Sequence, residues 1–156
     1  MPNEIKDKLG TSTALTITLA SLADLAGRQS TLVDNSTSRY QELLLYLKCK
    51  MGSSAPNANS IVEVYLLRGD KDAGTEHLSD GAGTSDAAMT PVNAQLIGAL
   101  RNKAAPAAGD VLYGEFLVHR PGPKWGIAVF NRSGQAFDST GSNHWARYVG
   151  INPEVQ

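Results

Sequence analysis

Apolar and polar residues alternate singly through short runs of this chain, and glycine, proline and serine break the runs, a pattern that fits strands and leaves little room for helices. In Thr11 to Leu19, Leu15, Ile17 and Leu19 are apolar while Ser12, Thr16 and Thr18 are polar, so one face turns inward. In Gln41 to Lys50, Leu43, Leu45, Leu47 and Cys49 share a face, and on the other Leu44 and Tyr46 give way to Lys48 and Lys50. Ile61 to Leu67 is apolar except for Glu63, as expected near a sheet centre where a strand is covered on both sides towards its end. Val111 to His119 sets Leu112, Phe116 and Val118 against Tyr113, Glu115 and His119, with Gly114 marking a bulge or a close approach of backbones. Trp125 to Phe130 follows the turn formers Arg120-Pro121-Gly122-Pro123, so these two runs are expected to pair as a hairpin. Trp145 to Ile151 and a short strand at Thr31 to Val33 bring the expected strands to seven.

Thr90 to Lys103 reads two ways. Thr90 could cap a helix with Pro91 at its first position and Val92, Leu96, Ala99 and Leu100 along one face. Gly98 interrupts that face, and a strand over Leu96 to Leu100 is the preferred reading. About eight strands at this spacing predict an all-β fold, a single jelly-roll-like β-sandwich over residues 11–156, with residues 1–10 as a polar N-terminal arm. The 23 residues from Arg68 to Thr90, rich in Gly, Asp, Ser and Ala, form a contact loop or a flexible one, since compact domains seldom carry so long a connection.

A 156-residue chain of this kind buries enough surface, roughly 68–70%, to be stable without staples. Its one cysteine, Cys49, excludes an internal disulfide and fits a buried thiol at the end of an apolar strand. The formal net charge of -1 argues against nucleic acid as a partner. Thr13 to Ala26 follows Lys6 and Lys8 as a signal peptide would, but its alternation and the nearby acids fit a strand better, and no run approaches the ~20 apolar residues of a membrane span. A soluble protein with no membrane partner is expected. Residues 51–100 hold six acids against Arg68 and Lys71, and residues 101–150 hold six basic residues against Asp110, Glu115 and Asp138. Such opposed regions suit contact with further copies or an assembled surface, or are simply two solvated faces.

No catalytic or metal motif stands out, and no cofactor is expected. Asp70, Asp72 and Glu76 alternate as in a calcium loop, but Gly81 occupies the position where glutamate would close it. His77, His119 and His144 are isolated in sequence. Asp110 and Glu115, nominal carboxylates for glycoside hydrolysis, lie five apart on one strand and so on opposite faces. Arg28, Arg120, Lys124, Trp125, Arg132 and Trp145 remain as candidate interface residues, because arginine and tryptophan favour buried centres of assembled surfaces. Taken alone, each tryptophan fits a sandwich core slightly better than an interface.

One stretch carries a more specific signal. Gly27-Arg28-Gln29-Ser30, followed by Val33-Asp34-Asn35-Ser36-Thr37 and Tyr40, resembles a family of small virion structural proteins of tailed bacteriophages. Asp86-Ala87-Ala88, Asn93 to Gly98, Pro123 to Ile127 and Asn131 to Ala136 extend the likeness, which covers the chain from about residue 27 onward. The resemblance implies a non-enzymatic virion component, made in the host bacterial cytoplasm. A capsid decoration or cement protein is the leading expectation, forming a homotrimer that binds the major capsid protein or other virion proteins. A collar, head-tail junction, tail or fibre-base protein is the alternative, and a carbohydrate-binding sandwich for host recognition the lesser one.

Overall fold

The computed structural model describes residues 5–70 and 78–155. In chain order its strands are β1 (Ile5–Leu9), β2 (Thr13–Leu15), β3 (Gly27–Gln29), β4 (Val33–Asp34), β5 (Glu42–Lys50), β6 (Ile61–Gly69), β7 (Ala87–Ala88), β8 (Gln95–Arg101), β9 (Val111–His119), β10 (Lys124–Arg132) and β11 (Trp145–Val155). They form two antiparallel sheets. In the front sheet β1 and β2 lie beside β11, followed by β5 and β9; in the back sheet the order is β7, then β3 and β4, then β10, β6 and β8. Four antiparallel pairings, β2 with β11, β3 and β4 with β10, β5 with β9, and β6 with β8, are those of a long ribbon rolled up on itself. This is jelly-roll topology.

The core lies between the sheets. Leu43, Leu45, Leu47 and Cys49 of β5 face Val62, Val64 and Leu66 of β6 and Trp125, Ile127 and Val129 of β10, all of them sealed from solvent. Trp125 packs edge-on against Tyr148, with ring centroids 4.9 Å apart. Cys49 is the small hydrophobe its position suggests, and burial pushes its thiol pKa far up, so it is not a reactive nucleophile. Where β8 and β9 close one side of the sandwich, a Cβ on Gly98 would stand 2.5 Å from Phe116, and one on Gly114 would stand 2.3 Å from Leu100. Gly114 therefore marks close approach. The bulge lies elsewhere, between Val64 and Tyr65 against β8.

Several expectations change. The runs either side of Pro121 and Pro123 do not pair as a hairpin: β9 belongs to the front sheet and β10 to the back, and the turn carries the chain between layers. Beyond Leu15 the first run leaves the front sheet, and the Thr31 N–H donates to the Thr16 carbonyl as the chain crosses over. Its alternation outlasts the strand because Leu19 still points into the core. Of the short strand expected at Thr31 to Val33 only Val33 lies in a strand, β4; β3 precedes it at Gly27–Gln29, and between the two the Ser30 hydroxyl accepts the Ile127 N–H in place of a backbone carbonyl. Thr90 to Lys103 contributes the strand β8, which leaves the helix reading aside.

Residues 5–9, expected as an arm ahead of the first strand, form β1. It pairs with Ile151–Val155 at a point where β5 has already ended, since the β5 register stops at Glu42 opposite Ile151. The result is a two-stranded ribbon projecting from one end of the sandwich, with Ile5 72% and Leu9 62% exposed. Its base is tied down by Asn152, which donates to the Ser38 carbonyl and accepts the Gln41 N–H.

Candidate interaction face

The two outer faces of the sandwich differ. On the back sheet, Leu67, Ala128 and Phe130 point away from the core by strand alternation, yet they are buried. The chain from Leu78 to Met89 runs along this side. Leu78 bridges Gly69, the Ser79 hydroxyl accepts the Arg68 N–H, and the Met89 N–H donates to the Gly27 carbonyl. Gln29 donates its amide to the carbonyls of Gly83 and Ser85, and Arg28 pairs with Asp86. Burial alone would raise the Asp86 carboxyl, but hydrogen bonds from Arg28 and Thr18 outweigh it and hold the pKa below the usual range. Asp80 accepts the backbone N–H groups of Val92, Asn93 and Ala94, which lower its pKa against the same opposing effect of burial. The described part of the long loop thus covers its own sheet. Of the alternating carboxylates discounted as a calcium loop, Asp72 and Glu76 lie outside the described residues.

Among the described residues the front sheet has no such cover. Its registers set Val149, Leu44 and Leu117 side by side across β11, β5 and β9. The next row on the same face is Arg147, Tyr46 and Glu115, and the one after it Trp145, Lys48 and Tyr113. Tyr113 and Trp145 meet edge-on at 5.6 Å across Lys48, and the Arg147 guanidinium stands 5.8 Å from the Trp145 ring. Val111, Tyr113 and Leu117 are each about half exposed, at 53%, 57% and 47%. The face thus carries aliphatic residues at one end and aromatic rings at the other, with Arg147 and Glu115 either side of Tyr46 between them and Lys48 between the rings.

The six candidate interface residues do not converge. Trp125 is fully buried in the core and cannot reach a partner, so its place as an anchor is withdrawn. Arg28 fastens the long loop, and Arg132 pairs with Glu63 while covering the Phe130 ring at 4.6 Å. Lys124 begins β10 opposite Asp34 in register, and Arg120 is exposed in the turn before it. Only Trp145 lies in the front patch. The patch was hinted at by Leu44, Tyr46, Tyr113 and Leu117, apolar residues on the second face of strands whose first face was already committed to the core.

The remaining titratable groups serve structure. His119 Nδ1 lies 2.7 Å from Glu42 at the sheet rim. His144 is buried, its Nδ1 accepting the Lys50 N–H while Nε2 donates to the Asp138 carbonyl, and burial lowers its pKa. Asp110 accepts from Lys103 and from the Ala107 N–H and does not face Glu115. Comparison of the chain with protein-family models, with curated proteins and with solved structures returned no match.

Proposed function

We propose that this chain is a non-enzymatic structural protein that assembles through the outer face of its front sheet, and that the assembly is a tailed-phage virion. The observation carrying the first part is the contrast between the two outer faces. A sandwich that covers one sheet with its own loop and leaves Leu44, Tyr46, Tyr113, Leu117, Trp145 and Val149 on the other to solvent has a surface suited to burial against protein. The virion part rests on the sequence resemblance. The finer reading is a decoration protein whose front face lies against capsid subunits and whose β1–β11 ribbon reaches a neighbouring copy.

The test is image reconstruction of particles that carry the chain. The expected density places the front sheet against a capsid subunit, at a copy number comparable to that of the major capsid protein. Copies confined to the neck or tail would replace the decoration reading with a junction role. Particles bearing Leu117→Lys should show lower occupancy without loss of fold. Full occupancy would overturn the role of this face. Should Trp145→Ala abolish binding on a glycan array, the surface would instead be a carbohydrate platform.

A further inference from the structure

At the end of the sandwich where β4 leads into β5 and β9 into β10, the two turns border an open cleft of about 460 Å³. Arg39 lines it from the first turn and Arg120 from the second. Both residues hold left-handed backbone conformations, with φ of 51° and 48°. Glycine or asparagine adopts that conformation more readily than arginine, so the turn geometry is no reason for arginine at either position. The backbones are fixed where they stand. The Arg39 N–H donates to the Asn35 carbonyl at 2.8 Å and the Arg120 N–H to the Gln41 carbonyl at 2.7 Å. Buried Asn35 ties the two walls together, donating to the carbonyls of Tyr40 and Gly122, each at 3.0 Å, and accepting the Tyr40 N–H.

The guanidinium groups are not committed to an acid, and Arg39 Nε donates to the neutral Ser36 carbonyl at 3.3 Å. Neither has a carboxylate partner among the described residues, and no acidic side chain lines the cleft. Arg28 and Arg132 differ in this respect, each pairing with a carboxylate. Tyr40 supplies a firm apolar wall, because its ring lies against Gly150, where a Cβ would come within 2.3 Å of it. Pro123 stands on the same lining. A cavity of this size, with an apolar wall and two unpaired cations, matches a small ligand with one anionic end.

We infer that the cleft binds a small organic anion, its carboxylate or phosphate held by Arg39 and Arg120 and its body resting on Tyr40 and Pro123. The site is separate from the front face and does not depend on the virion reading. Titrating the ¹⁵N-labelled full chain at low salt with benzoate, glucuronate, inorganic phosphate and uncharged benzamide tests it. Benzoate or glucuronate should shift the amides of residues 35–41, Arg120 and Gly122 saturably, and benzamide should not. Arg39→Asn and Arg120→Asn keep residues that tolerate positive φ, and each should weaken binding by about tenfold. Equal saturable shifts with phosphate and the organic anions would remove the role given to Tyr40 and Pro123. Equal shifts with benzamide, no saturable shift with any anion, or an unchanged response in the double variant would overturn the inference.

Discussion

His144 shows how one side chain can set a pH response. Its neutral form satisfies both ring nitrogens, and a second proton on Nδ1 would set an N–H against the Lys50 N–H. Burial holds its folded pKa below the ordinary 6.5, with Asp138 opposing less strongly. The unfolded chain therefore binds the proton first, so the stabilising contribution is full above about pH 6.5 and is lost as pH falls through the folded value. The urea midpoint should drop between about pH 7.5 and pH 5.5, and His144→Gln should flatten that slope. An unchanged slope in the variant would refute the assignment. The depressed carboxyls of Asp80, Asp86 and Asp138 act in a separate window, below about pH 4. The tryptophans divide in the same residue-level way. Trp125→Ala should cost about 3–5 kcal/mol by denaturant unfolding, as expected for a buried aromatic, whereas Trp145→Ala should cost far less.

Among the elements, β8 and β9 approach closely through glycines. Gly114→Ala would press a methyl group into Leu100, and a loss of about 1–3 kcal/mol in chemical unfolding is expected. A stability equal to wild type would mean that the two edges can part. The sequence marked Gly114 as special, and the long strands were legible as well, with β9 matching its expected bounds and β5 differing by one residue. Period-two alternation reports that a residue faces inward, and it served well wherever the strand continued. It misled at Leu19, where an inward residue sits on a crossover. Pairing partners were less visible, because the Pro121–Pro123 turn looks the same whether it joins neighbours in one sheet or carries the chain to the other. The ribbon strand β1 was hidden because none of its residues is buried, and burial is what writes a pattern into a strand. The front patch left traces in β5 and β9, but its third component, Val149 and Trp145 on β11, becomes adjacent only through the register. The arginine cleft had no signature in sequence, since Arg39 and Arg120 are 81 positions apart and come to line one cleft only by topology.

At the scale of the whole molecule, part of the charge asymmetry between the two regions is met within the chain. Glu63, Asp80 and Asp86 of the acidic stretch all have internal partners. Self-association through the aliphatic and aromatic residues of the proposed face should resist screening, so light scattering in about 1 M salt should find the same oligomer as at about 0.05 M. Dissociation in high salt would point to a charge-held contact instead, and Leu117→Lys should dissociate only an oligomer built on the face. The strand order has a different consequence, for synthesis. β10 lies between β3 and β6, and β11 lies between β5 and the first two strands, so the last strands to leave a ribosome are the central ones of the two sheets. Neither layer can close before β10 and β11 have emerged, so a shorter nascent polypeptide is not yet a protease-resistant body. Stalled nascent chains ending before Trp145 should remain fully digestible.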